Sequence, residues 1–226
     1  MAKTLVLTEY EMERCIAFSK ASAESQQAIE FGQADTAPRR TAEIARDNLI
    51  GKMAEVAVSR MLREDFGLHF PVNFDIYPRG EWDDCDVQIK AWNIDIKSTR
   101  TGQWLLFEVD KLRMRQNQTI NNLPDAIFMC RTPWDRDTDE PKGTVELIGA
   151  ISLKQLLSPN PKVKRLKKGD FIPNTHARLQ AENYGVHFRD LNPDWNSVIA
   201  YMLKNETLSS LYNSIIEKKG ISEMDR

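Results

Sequence analysis

Hydrophobic residues recur along this chain with two periods, and the change from one to the other marks out the elements. Over residues 41–66 the spacing is helical: Ile50, Met53, Ala54, Ala57, Val58, Met61 and Leu62 share one broad apolar arc, and Gly67 supplies the stop. Before it, Thr8-Glu9-Tyr10-Glu11 has the spacing of a capping box and opens an outer helix to about Phe31. Residues 32–40, with Pro38, read as a linker. Residues 68–76 read as extended. From Asp86 the period falls to two, in Asp86-Val87-Gln88-Ile89-Lys90 and again around Ile94-Asp95-Ile96-Lys97. Residues 103–107 predict the next strand, and residues 109–118 a helix carrying Lys111, Arg113 and Arg115. The unbroken apolar run over 125–131 predicts a strand buried on both faces. Residues 135–142 form an acidic loop closed by Pro141, and residues 144–151 another strand. Ser152 then caps a short helix through Leu157. Past Ser158 the pattern loosens through Pro159, Pro161 and Pro173. Residues 184–189 add a strand. Residues 196–219 are helical, with a stripe from Val198 to Ile216 that either folds back on the domain or meets a second copy in a homodimer. A helix before the strands and helices between them predict an α/β fold: a central mixed β-sheet flanked by helices, with N- and C-terminal helical additions.

The two alternating runs are close enough to pair as a hairpin turning over residues 90–93. Opposing Val87 to Ile96 and Ile89 to Ile94 buries all four together. The same register sets Asp86 opposite Lys97 and Gln88 opposite Asp95 on one polar face. A one-residue slip would mismatch the apolar faces, so burial selects the register that gathers two carboxylates and one ammonium.

Two adjacent carboxylates repel each other, and a bound cation relieves that repulsion. Oxygen donors suit Mg2+ or Mn2+. A lysine beside such an ion holds and polarises an attacking water, which is the equipment for hydrolysing a phosphodiester. The competing reading is a surface hairpin whose charges pair across strands for a few tenths of a kcal/mol. On the helix over 41–66, Glu55 falls at the edge of the apolar arc. There it can either reach a site at the sheet edge or pair with Lys52 or Ser59. Gly51, one turn earlier, costs about 1 kcal/mol of helix stability against alanine and hints at the close approach of another element.

Asp86, eight residues, then Asp95-x-Lys97 resembles the PD-(D/E)xK nuclease superfamily, and Gly51-Lys52-Met53-Ala54-Glu55-Val56-Ala57 is similar to the helix that precedes its first strand. The resemblance covers roughly residues 41–150 and implies a restriction-endonuclease-like fold. It implies Asp86 and Asp95 as metal ligands, with the carbonyl of Ile96 as a further one. Lys97 becomes the water-orienting cation and Glu55 an acid at or next to the metal. No proline precedes Asp86, and Asp83 and Asp84 compete for its role. Face parity favours Asp86 and Asp84 over Asp83, and nearness to Lys97 favours Asp86.

At 226 residues, 41% hydrophobic and with five tryptophans, the chain can build a real core and reads as a single nuclease domain. Its core spans about 41–151, with a helix and linker over 1–40 and a basic loop and helices over 152–226. The three cysteines, Cys15, Cys85 and Cys130, are scattered and odd in number, against a disulfide framework. No zinc spacing occurs among the three histidines. No signal peptide follows Met1 and no apolar run approaches a membrane span, so a cytoplasmic location and no membrane partner are expected. The net charge of −2 does not advertise a nucleic-acid binder, but its distribution does. Lys154, Lys162, Lys164, Arg165, Lys167 and Lys168 follow one another with no acid between them, while acids concentrate around 81–86 and 135–140. A basic arm beside an acidic pocket suits a Mg2+- or Mn2+-dependent nuclease that grips phosphates with Lys162, Lys164, Arg165, Lys167 and Lys168; the plainer reading is a solvated loop. DNA is favoured over RNA. The chief rival is a binding module that recognises nucleic acid without cutting, which has no need of paired acids facing phosphates. A small-molecule phosphohydrolase would more often show histidines and a glycine-rich loop, absent here.

Overall fold

The computed structural model describes residues 3–26, 41–77, 86–109, 123–135 and 137–204. In chain order these form β1 (Lys3–Val6), α1 (Glu9–Gln26), α2 (Thr41–Phe66), β2 (Val87–Ile89), β3 (Trp92–Thr99), β4 (Trp104–Glu108), β5 (Ala126–Arg131), β6 (Trp134–Asp135), β7 (Glu140–Pro141), β8 (Thr144–Ser152), α3 (Leu153–Leu157), β9 (Val163–Leu166), β10 (Asn183–His187) and α4 (Trp195–Lys204). The expected helix over 109–118, and the residues past Lys204 of the C-terminal one, lie outside the described residues.

The fold is α/β around a mixed five-stranded sheet of order β1-β8-β5-β3-β2. β1 runs antiparallel to β8. β3 and β5 run parallel: the N–H of Asp125 donates to the carbonyl of Asn93 (2.7 Å) and that of Thr132 to the carbonyl of Thr99 (2.9 Å), in the same order along both strands. β5 is buried at Ala126 to Cys130, as its continuous apolar run requires. A three-stranded sheet, β4-β10-β9, and a two-stranded ribbon, β6-β7, complete the strands. β1 has no clear signal in the sequence, because four residues with one buried leucine are too short to show a period.

By contact the chain divides into two compact units: residues 1–87, 96–103 and 128–149 form one, and residues 88–95, 104–127 and 150–226 the other. In the first, Thr8 and Glu11 make the expected capping box at the start of α1, Thr8 N–H to Glu11 Oε2 (2.7 Å) and Glu11 N–H to Thr8 Oγ1 (3.2 Å). α2 ends in an αL cap. Gly67 takes φ +67°, its N–H donates to Arg63 (3.1 Å), and the Leu68 N–H reaches back to Leu62 (3.0 Å). Gly51 is half-buried, and a Cβ built there meets nothing within 4 Å. Among the described residues nothing makes the expected close approach at Gly51, and against them the glycine leaves only its helix penalty.

Residues 68–77 form no strand. Side chains of α2 clamp this segment instead: Ser59 donates to the Phe70 carbonyl, and the Lys52 ammonium to the Asn73 carbonyl (2.7 Å). Lys52 is buried at 8% exposure, with its ammonium 4.4 Å from the centre of the Phe18 ring of α1 and 5.6 Å from that of Phe74. A charge at that depth persists only when paired, and the carbonyl, the two ring faces and Glu55 supply the pairing. The acidic loop expected over 135–142 overlaps the β6-β7 ribbon, where Trp134 opposes Pro141.

In the second unit, Ser152 and Gln155 close a capping box on α3. The basic run is no loose loop: residues 163–166 are β9, an outer strand of the three-stranded sheet. Its period was hidden because an outer strand carries charge at positions where an inner strand carries apolar side chains. β10 pairs with both neighbours around Gly185, opposite Leu106 on one side and Lys164 on the other. A Cβ on Gly185 would come 2.8 Å from Leu166 Cδ1, so the bare glycine lets Leu166 lie across the sheet.

Candidate functional site

β2 and β3 are neighbours in the five-stranded sheet, joined by a turn at Lys90 and Ala91. The turn is two residues shorter than the expected 90–93, because Trp92 belongs to the strand. Its ring is buried at 1% exposure and meets Tyr201 edge-on at 5.7 Å, an apolar gain that a loop position would forfeit. Lys90 closes the turn in the left-handed region (φ 53°), without the glycine or asparagine that such a turn favours, and its ammonium bonds the Leu203 carbonyl.

The alternation sorts the hairpin's residues as its period predicts. Val87 and Ile89 on β2, and Trp92, Ile94 and Ile96 on β3, are buried. Asn93, Asp95 and Lys97 on the opposite face are half-buried. Asp95 and Lys97 therefore share a face, two residues apart, with Ile96 between them pointing to the core. Asp86 is exposed just before β2, and its Oδ2 accepts a 2.6 Å hydrogen bond from the backbone N–H of Ile96. That bond brings Asp86 to the residue that separates Asp95 from Lys97. Beyond Lys97 the strand is anchored by Ser98 Oγ against Thr132 Oγ1 (2.9 Å). Arg100 follows, its guanidinium 5.6 Å from the centre of the Trp134 ring.

No family model, curated protein or solved structure matches the chain.

Glu55 is half-buried and its Oε2 lies 2.6 Å from the Lys52 ammonium, the first of the two partners its position offered. A cation bound at Glu55 would have to compete with that ammonium. Among the described residues no three His, Cys, Asp or Glu side chains gather as a metal-binding group. Asp83 and Asp84 lie outside the described residues. Asp86 and Asp95 are nonetheless hard oxygen donors of the kind magnesium takes, an ion commonly held by one or two carboxylates together with water and substrate phosphate. In donor type the two aspartates fit.

The cations singled out in the basic run are mostly engaged. Arg165 Nε bridges to Glu182 (2.6 Å), which holds its guanidinium charge more firmly, and Lys162 lies 4.0 Å from Asp190. Lys164 sits over the Trp104 ring, 5.2 Å from its centre. The Lys167 backbone N–H donates to Asp170 (2.8 Å), and Lys168 is exposed. Sequence periodicity missed the aromatic partners here, Trp104 and Phe171. Phe171 follows the basic residues closely in sequence, whereas Trp104 lies far upstream and only the pairing of β4 with β10 brings it near Lys164.

Proposed function

We propose that this chain is a metal-dependent nuclease with a restriction-endonuclease-like fold, acting on DNA. The observation that carries the reading is the 2.6 Å bond that Asp86 accepts from the N–H of Ile96, the residue flanked by Asp95 and Lys97. Asp86 and Asp95 would hold Mg2+ or Mn2+, with the Ile96 carbonyl as a further ligand and Glu55 as a third acid, released from Lys52 on loading. A divalent cation in such a site acidifies a bound water and draws charge from the phosphate under attack. Lys97 orients the attacking water and stabilises the charge that develops on the phosphoryl oxygens. The basic run from Lys162 to Lys168 grips the phosphate backbone.

The engagement of Glu55 by Lys52 favours one rival, a module that binds nucleic acid without cutting it. One experiment separates the two: plasmid, single-stranded DNA and RNA incubated with magnesium, manganese or calcium, for wild type, Asp95→Ala and Lys97→Ala. The nuclease reading expects cleavage of DNA with magnesium or manganese and none by either variant, both of which retain wild-type melting because their side chains leave no core cavity. Binding without cleavage by wild type, or near wild-type cleavage by either variant, refutes it.

A further inference from the structure

The three-stranded sheet of the second unit has two unlike faces. Residues directly opposite one another across an antiparallel pair share a face, so Leu105 and Phe107 of β4 lie with Val186 of β10, and all three are buried. The other face carries Trp104 opposite His187, and Leu106 opposite Gly185, with Lys164 next across on β9. Trp104, Leu106 and His187 are half-exposed and Lys164 is exposed. The Trp104 and His187 rings meet edge-on at 5.3 Å, and the Lys164 ammonium stands over the indole. Among the described residues, the buried indole N–H of Trp104 has no acceptor.

Five residues past β9 a second aromatic stands open. Phe171 is 49% exposed and pairs across a small bridge with Arg178, whose guanidinium lies 3.8 Å from the ring centre. Between Lys162 and Arg178 there are six cations, Lys162, Lys164, Arg165, Lys167, Lys168 and Arg178, against one acid, Asp170, in a chain whose net charge is −2. Glu182 and Asp190 face two of these, Arg165 and Lys162, while Lys164 and Arg178 stand over two aromatic rings that reach solvent.

We propose that this face and the Phe171–Arg178 bridge form a platform for single-stranded DNA, with bases stacking on Trp104 and Phe171 and phosphates meeting the lysines of β9 and of the turn after it. The choice of DNA rests on the nuclease reading above; the single-strand preference rests on the rings. A ring can be stacked only by a base that is splayed from its neighbours, and the bases of a duplex are already stacked on one another. Basic side chains alone would attract duplex and single strand alike.

The test is binding without turnover: tryptophan fluorescence and anisotropy with a twenty-residue oligothymidylate and a duplex of equal length, in EDTA, on the full chain. The single strand should bind at least tenfold more tightly than the duplex and quench tryptophan emission. Trp104→Leu should abolish most of the quench, and it and Phe171→Ala should each weaken single-strand binding by roughly five- to a hundredfold. Lys164→Ala should reduce the slope of log affinity against log salt by about 0.7. Phe171 is exposed enough that its truncation cannot be confused with unfolding, and melting curves control for Trp104. Equal affinity for duplex and single strand, unchanged affinity in Phe171→Ala, or displacement by polyglutamate as readily as by oligothymidylate would each overturn the platform. Selective single-strand binding by a wild type that never cleaves would end the nuclease reading and leave the platform standing. Cleavage without strand selectivity would do the reverse.

Discussion

The carboxylate of Asp86 and the backbone N–H of Ile96 are joined by a 2.6 Å hydrogen bond. The bond ties the residue before β2 to the middle of β3, so the acid proposed as a metal ligand also fastens the hairpin on which the other two site residues stand.

Substituting Asp86 separates these two roles. Asp86→Asn keeps an acceptor for the Ile96 N–H and should melt close to wild type, whereas Asp86→Ala should lose about 1 kcal/mol, the ordinary worth of such a bond at an exposed position. Both should lose magnesium binding by titration calorimetry, and in wild type calcium should bind without supporting cleavage. Equal metal binding by wild type and Asp86→Ala would remove Asp86 from the site and turn attention to Asp84.

Gly51 sits inside α2, and among the described residues nothing comes within 4 Å of a Cβ built there. Gly51→Ala should therefore stabilise the protein by about 1 kcal/mol, through the helix propensity of alanine and the reduced freedom of the unfolded chain. Chemical denaturation reads the difference directly. A loss of stability would mean that something fills that space after all.

Asp125 is buried, with its Oδ2 accepting from the Asn93 N–H (2.9 Å). Burial raises its carboxyl above the ordinary value, and the hydrogen bond only partly opposes that. Above the ordinary carboxylate range the unfolded chain has given up a proton that the folded protein retains. The group's favourable contribution is thus full at acid pH and is lost as pH rises through the raised value. Asp125→Asn keeps an acceptor and removes the ionisation. Its melting temperature should exceed that of wild type at pH 7, and the advantage should shrink as pH falls towards 4. An advantage independent of pH would sink this account.

Cys15 and Cys130 are buried free thiols, and burial pushes both up to about 12. Thiolate is the reactive form, so neither should react with a disulfide reagent at pH 8 while the protein is folded. With Cys85→Ser as background, thiol titration should count none in buffer and two in guanidinium.

What the sequence settled by itself is local. The capping box at Thr8, the cap at Ser152, the stop at Gly67, the apolar arc of α2 and the two-residue alternation around Ile94 and Ile96 are signals carried within a few residues. The backbone obeys them because caps, turns and side-chain faces are fixed by nearest neighbours along the chain. They were enough for the α/β class, the buried character of β5 and the common face of Asp95 and Lys97. Tertiary structure decided whatever depends on a partner distant in sequence. Glu55 had two local partners available, and the choice of Lys52 accompanies the burial of that lysine between Phe18 and Phe74. Trp92 left the turn for the strand because its ring found a buried place against Tyr201. Residues 163–166 became a strand because β10, some twenty residues on, offers its backbone to pair with. Pairing and burial at that range follow from packing the whole chain, and no periodicity within a short window encodes them.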